Sequence, residues 1–464
     1  MGTFCLTRRT RRAGAAPGSL DPVGSPATLA SAAPARDAPG AYSITGARNA
    51  HGRHVTLYVR DGLIVDEPPP GAHHIDADGL IALPGLVDPH THLREPGNTL
   101  AETITTGTTA AARGGYTAVL AMPNTAPATH GVPELEWLTR RVVWMPARAQ
   151  VVPIGAITRD RAGLALADIT GLARRGVRVF SDDGSCVASA VLMRAALAAV
   201  RPFDGVIAQH AQDPSLAGER ACCADAALAA RLGVEVWPSV AESVIVARDV
   251  QLAADTGARL HVCHVTCPET VDIIRWAKAR GVRVTAEVTP HHLLLSTDRL
   301  ATGDTTFKVN PPLRPAVDVA VLRAALADGT IDMVATDHAP HTATDKRGGL
   351  VRAKPGVTGL EQALGIVLET MVSPGLLTWG DVVRVMSAAP AALARLTAQG
   401  HPLTPGHPAN IVLIDPARRA IVDREDSASR SRNNPYHGFL LPDPVQWTMR
   451  AGAITYDREA GMSA

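Results

Sequence analysis

The sequence predicts an α/β fold: a (β/α)8 TIM-like barrel with a small β-sandwich domain formed by both chain ends. Three observations predict it. Eight short apolar runs alternate with Ala-rich helical stretches over roughly three hundred residues, as strand–helix units around a parallel barrel would. Short strand-like segments separated by turns occupy both ends of the chain. Nearly every apolar run of the middle is followed at once by a His, Asp or Asn.

Taken in order, residues 1–40 are rich in Ala, Pro, Gly and Ser and carry five Arg against two Asp. No hydrophobic periodicity or secretory apolar core is visible there, so a disordered tail is expected. Segments 42–47 and 55–59 open a β-rich region, matched at the far end by 409–415 and 448–452. This places the sandwich in residues 41–84 plus 403–464 and the barrel in 85–402. The eight barrel strands are expected at 80–87, 118–122, 151–154, 177–180, 205–208, 259–263, 282–286 and 331–335.

Composition narrows the function. A chain of 464 residues can bury one large core and a smaller one. A formal net charge of +1 gives no bulk attraction to nucleic acid or membrane, and neither is expected as a partner. The six cysteines form no paired C-x-x-C pattern, which suits free thiols and a cytoplasmic location.

The chemistry concentrates in Asp88-Pro89-His90-Thr91-His92-Leu93-Arg94. Residues two apart share a strand face, so His90 and His92 can hold one metal ion, with Asp88 on that face and Arg94 continuing the series. A metal beside a guanidinium fits a substrate with a labile carbonyl and a separate carboxylate. Asn124, Asp182-Asp183, His210, His264 and Asp337-His338 follow other strands. Active sites of such barrels gather at the C-terminal strand ends, so these groups converge on one mouth. Four His and two Asp there supply ligands for two divalent ions, and zinc suits that mixture best.

These motifs, together with Phe180-Ser181-Asp182-Asp183-Gly184, Thr285-Ala286-Glu287-Val288-Thr289-Pro290-His291-His292, Lys308-Val309-Asn310-Pro311-Pro312 and Ala335-Thr336-Asp337-His338-Ala339-Pro340-His341, resemble those of the class I dihydroorotases of the amidohydrolase superfamily. The resemblance runs from about residue 41 to the C-terminus. It implies a zinc-dependent cyclisation of N-carbamoyl-L-aspartate to dihydroorotate, the third step of pyrimidine synthesis, with two Zn2+ per subunit. It implies His90, His92 and Asp337 at one zinc, His210 and His264 at the other, and Asp183 between them. Spacing alone does not choose Asp183 over Asp182. It assigns Asp337 to proton transfer, and His92, Arg94, Asn124, Asn310, His341, Pro355 and Gly356 to the substrate. A homodimer and an association with aspartate transcarbamoylase are left open by it.

Where the family carries an Ala-Pro-Phe-Gly-type loop, this chain has Ala353-Lys354-Pro355-Gly356, and the preceding 342–352 reads as a mobile lid. His338 matches the family motif without being assigned a metal, His291 and His292 are taken as structural, Cys263 and Cys267 as packing, and His51, His54, His73 and His74 as surface residues. Three competing readings exist. Hydantoinases, dihydropyrimidinases and allantoinases generally act on substrates without the ring carboxylate and carry a bridging lysine, against Arg94 and Asp183 here. An inactive scaffold would have lost ligands that this chain retains. A purely structural metal protein would bind metal without turnover.

Overall fold

The computed structural model describes residues 40–218 and 220–460. The expected tail lies outside them, save Gly40, and so does Cys5.

Both chain ends build two four-stranded sheets. One has the order β3-β2-β1-β4, from β1 (Tyr42–Thr45), β2 (Leu57–Arg60), β3 (Leu63–Val65) and β4 (His73–Asp76). The other joins β5 (Ile81–Pro84) to three late strands, described below. Period-two alternation puts Leu57 and Val59 inward and leaves Arg60 exposed, as half-buried strands require. Ile44, Leu57, Val59, Ile64 and Ile75 from the start of the chain share one apolar cluster with Ile411, Leu413 and Met449 from its end.

Eight parallel strands follow. A three-stranded sheet holds β6 (Leu86–Thr91), β7 (Tyr116–Ala121) and β8 (Gln150–Pro153). A five-stranded sheet holds β9 (Val179–Ser181) and β10 (Val206–Gln209), then, beyond a short ribbon of β11 (Ala221–Cys223) and β12 (Glu235–Val236), the strands β13 (Arg259–Val262), β14 (Val284–Val288) and β15 (Met333–Val334). Isolated parallel bridges, Gly155 to Phe180 and Thr91 to His338, link the edges of the two sheets. Seven of the expected strands are present with ends shifted by a few residues; the first, 80–87, breaks at Gly85, so that Ile81–Pro84 joins the sandwich and the barrel strand runs on from Leu86 to Thr91. β6 and β7 are buried along their whole length, as strands covered on both faces are. Ala118, Leu120 and Met122 join an inner cluster with Val206, Ala208 and Met333, whereas Val119 and Ala121 join the cluster shared with the helices. Leu393 and Leu396 complete the inner cluster.

Helix starts follow local chemistry. Thr103 caps Ile104–Arg113 through a capping box, Ser189 caps Ala190–Val200, and Pro268 occupies the first turn of Pro268–Ala279, where a missing N–H costs nothing.

The C-terminal region departs from a simple sandwich. β16 (Ile411–Ile414) lies between β5 and the antiparallel pair β19 (Val445–Arg450) and β20 (Ala453–Asp457). Between them, β17 (Arg419–Ile421) and β18 (Leu440–Pro442) pair with each other, and the chain joining them turns back onto the barrel. Ser431 donates to the Ala101 carbonyl at 2.6 Å, and Asn433 donates to the carbonyls of Ala339 and Gly356, both at 3.0 Å. Tyr436 and Leu441 pack with Leu295, Leu313 and Ile366. The expected sandwich span 403–464 therefore contains a barrel-packing segment. Among the described residues, no helix is long and apolar enough to cross a membrane.

Candidate active site

Six buried side chains meet at the C-terminal ends of the strands. His90, on β6, gives its Nδ1 to Glu287 Oε1 at 2.7 Å, which turns Nε2 toward Asp183 Oδ2 at 3.3 Å and Asp337 Oδ1 at 3.5 Å. His92 Nε2 lies 3.3 Å from Asp183 Oδ2 and 3.0 Å from Asp337 Oδ1. The other oxygen of Asp183 faces a second pair: Oδ1 is 3.4 Å from His210 Nδ1 and 3.3 Å from His264 Nε2. Asp183 thus stands between two ligand groups, His90–His92–Asp337 and His210–His264, and each set of candidate ligand atoms fits within 4.8 Å.

This donor set fits divalent metal ions. His90 Nε2 is buried without a hydrogen-bond partner. His210 Nδ1 and His264 Nε2 converge to 2.9 Å, so two imidazoles aim at one point. Mixed imidazole and carboxylate ligands with fixed outer partners are the chemistry of zinc-type sites. The electrostatics agree. Burial alone would raise the Asp183 and Asp337 carboxyls, but the neighbouring histidines, His90 foremost, hold both well below the ordinary range. Burial would likewise lower His90, but Asp183, Glu287 and Asp337 raise it.

Local structure explains the choice between the adjacent aspartates. Asp182 turns away and caps the 157–158 backbone, accepting from the Ile157 N–H at 2.8 Å, the Thr158 N–H at 3.0 Å and the Thr158 hydroxyl. Asp183, one residue on, takes the opposite direction. Arg161 holds that turn by donating to the Asp183 carbonyl at 2.8 Å. His264 (φ 33°) and Asp337 (φ 43°) both leave their strands with a left-handed backbone, a conformation that non-glycine residues keep only where surroundings enforce it.

Two sequence expectations need correction. Asp88 does not join the ligand groups. It accepts from the Thr336 N–H at 2.8 Å, from the Thr336 hydroxyl at 2.6 Å and from the Thr91 hydroxyl, and so ties β6 to the backbone leading into Asp337. Burial raises its pKa to about 6. Nor does strand alternation carry Arg94 to the site, because β6 ends at Thr91. A left-handed backbone at Arg94 (φ 57°) swings the side chain to the Pro340 carbonyl, where Nε donates at 3.1 Å. Burial lowers its pKa to about 10, and it remains a cation at neutral pH.

The other expected substrate contacts surround this point. Asn124 Oδ1 sits 2.8 Å from His92 Nδ1, which orients the ring and leaves Nε2 for the cluster. His341 places Nε2 2.8 Å from the Pro355 carbonyl, while its Nδ1 is buried and unpartnered. Burial, then Arg94 and Lys346, hold its pKa down at about 2, so the ring stays neutral. Asn310 donates to Gln212 Oε1 at 2.9 Å and accepts from Trp237 Nε1 at 3.1 Å, beside the outer nitrogen of His210. Gly356 takes φ 137°, and a Cβ there would meet Ala339 Cβ at 2.8 Å. Glycine is therefore required in the altered 353–356 loop despite its lost aromatic. The lid segment is pinned rather than free: Lys346 Nζ donates to the carbonyls of Lys308, Lys354 and Gly356 at 3.3, 2.9 and 2.8 Å.

Sequence reasoning missed Glu287 and Asn433. Glu287 bridges His90 and His261, with Oε2 2.9 Å from His261 Nε2. Burial would raise its carboxyl, but His90 and His261 hold it down at about 2. A lone carboxylate inside an apolar strand was the available signal, since a buried charge needs a partner. Asn433 accepts from the His341 N–H at 3.0 Å, and nothing local in the sequence announces that. His338, to which no metal was assigned, lies 3.2 Å from Glu102, and His292 is held by Thr289, as a structural role would have it. Both ring nitrogens of His291 are buried without partners. His51, His54, His73 and His74 are exposed. Cys263 is buried and groups with His90 and Glu287, and burial pushes its thiol far above the usual range. Cys267 packs against Glu242 and Thr270.

Comparison with known proteins accords with this geometry. Residues 79–270 match a family model described as dihydro-orotase-like. The dihydroorotase of Streptomyces coelicolor is 51% identical over 389 residues, covering 83% of this chain and 90% of that protein. That of Mycobacterium tuberculosis is 48% identical over 414 residues, covering 87% and 95%. Among solved structures, a dihydropyrimidinase from Brevibacillus agri superposes with a TM-score of 0.80 at 22% identity, covering 91% of this chain and 96% of that one. An L-hydantoinase from Arthrobacter aurescens does so with a TM-score of 0.80 at 24% identity, covering 90% and 96%. These two likenesses speak to the fold alone, an α/β barrel with an attached β-sandwich. The sequence identities carry the family: this chain belongs to the dihydroorotases of the amidohydrolase superfamily.

Proposed function

We propose that the chain catalyses the reversible hydrolysis of dihydroorotate to N-carbamoyl-L-aspartate at a class I-type centre of two zinc ions. One observation carries the reading: Asp183 directs one oxygen to His90 and His92 and the other to His210 and His264, with the Arg94 guanidinium beside them. Zinc bound there would polarise the ring carbonyl and bring the pKa of water toward neutrality.

The chain's own residues would do the rest. Arg94 pairs with the substrate carboxylate through two parallel N–H donors. His341, neutral and with Nδ1 free, accepts from a ring N–H. Asn124 and Glu287 keep His92 and His90 in the tautomers that point Nε2 inward. Asp337, ionised at neutral pH, takes a proton from the attacking water as its oxygen bonds to the ring amide carbon. When the ring C–N bond breaks, Asp337 passes that proton to the leaving nitrogen. The water oxygen stays in the new carboxyl group of N-carbamoyl-L-aspartate, whose remaining water proton leaves to solvent as the carboxylate forms; the reverse sequence takes that proton up and closes the ring.

The same reading takes the eight strands as one closed (β/α)8 barrel, which the bridges at both seams support. It keeps 85–402 as barrel and 41–84 with 403–464 as sandwich, with the 424–442 segment lent back to the barrel. Five free cysteines among the described residues support a reducing, cytoplasmic setting.

Turnover of L-dihydroorotate, followed by loss of ultraviolet absorbance, tests the proposal. Hydrolysis should vanish with chelator and return with zinc. Folded, zinc-reconstituted protein that leaves dihydroorotate intact but opens hydantoin or dihydrouracil would overturn it. Arg94→Lys keeps the charge and loses the planar fork, so kcat/KM should fall about 10²-fold, the usual scale for a misplaced bound group. Near-normal kinetics would remove Arg94 from the site.

A further inference from the structure

Beside the catalytic cluster lies a cavity of about 440 Å³, of whose lining the chemistry above uses only His341. His341 and Asn433 line it, and its charged lining residues are Lys346, Arg424, Arg430, Arg432 and Glu425. Its charge is lopsided. Glu425 is the single acid of the lining and is shared, 3.4 Å from Arg432 and 4.0 Å from Arg424. Arg430 is exposed, and its guanidinium has no partner among the described residues. Of the acids just behind the lining, Asp426 pairs with Arg113 at 2.7 Å, Asp423 lies 3.6 Å from His437, and Asp345 accepts from the Thr342 N–H at 3.0 Å and the Thr342 hydroxyl at 2.7 Å. A formal charge of only +1 over the whole chain makes this a local feature, not a general basic surface.

The cavity leads to the substrate contacts. His341 lines it and also lies 3.4 Å from Arg94. Its arginines come from the 424–432 stretch, which Ser431 and Asn433 fasten to the barrel mouth. We propose that this arginine-lined cavity is an entry vestibule that captures the dicarboxylate N-carbamoyl-L-aspartate and raises its concentration at Arg94. The proposal rests on the reading of the site given above. A concave surface of one sign focuses the field on an oppositely charged ligand, and a dianion gains twice what a monoanion gains.

The test is steady-state kinetics with N-carbamoyl-L-aspartate over a salt series, on the zinc-loaded wild type and Arg424→Gln/Arg430→Gln. At low salt the double variant should show kcat/KM lowered about 3- to 10-fold through KM, with kcat nearly unchanged. The fall should be equal with dihydroorotate, because the overall equilibrium constant is untouched. Above about 0.3 M salt, where the screening length drops below about 6 Å, the two proteins should converge. Glu425→Gln, which removes the only acid of the lining, should shift kcat/KM the other way. Parallel salt curves for wild type and double variant would overturn the vestibule, as would a loss residing in kcat. So would a Glu425→Gln protein indistinguishable from wild type. Absence of turnover in the wild type would instead sink the reading of the site itself.

Discussion

Asp337→Asn is expected to lower kcat about 10²- to 10⁴-fold, the range that one positioned proton carrier supplies. The amide can neither take the proton from the attacking water nor return it to the ring nitrogen. The backbone should accept the change, because Asp337 sits at φ 43° and asparagine tolerates the left-handed region better than most residues. Its remaining oxygen can still face His92, now 3.0 Å from the aspartate. Loss of kcat with the unfolding midpoint retained would separate chemistry from folding. Metal content measured on the same sample would show whether ligation was lost as well. A kcat within tenfold of wild type would take the proton-transfer role from Asp337.

Glu287→Gln is expected to act through metal and stability together. Its carboxylate lies 2.7 Å from His90 and 2.9 Å from His261, is fully buried, and also accepts from the His264 N–H at 3.3 Å. Removing the charge leaves His90 without the anion that fixes its tautomer. Such outer partners are worth about 10- to 100-fold in metal affinity. Breaking a buried ion pair costs about 3–5 kcal/mol, so the apo protein should also unfold at a lower temperature. Zinc titration and calorimetry on wild type and variant would read both effects. An unchanged zinc affinity would reduce Glu287 to a packing residue.

The expected and observed sites differ in instructive places. His90 and His92 were legible because a strand's alternation is local, and so were the eight strands, each a short apolar run. Asp183 was not separable from Asp182 until the turn after β9 sent one to the 157–158 backbone and the other to the histidines. That Asn124 turns its carbonyl oxygen to His92, 32 positions earlier, was not legible in the sequence. Arg94 reached its expected neighbourhood by an unexpected route, a left-handed turn beyond the end of β6.

Periodicity and motif spacing thus make legible the α/β class of the fold, the His and Asp residues of the candidate site and their order along the chain, because they depend on neighbours a few positions apart. Which carboxylate oxygen faces which imidazole, which residues hold those rings in place, and how the 424–433 segment comes to wall the mouth all depend on contacts across separations of up to a few hundred residues. Asn433 and His341, 92 positions apart in the chain, meet only once both sheets and the C-terminal return are assembled. Side-chain direction at such a meeting is set by packing and hydrogen-bond closure over the whole core, and no window of local sequence contains that information.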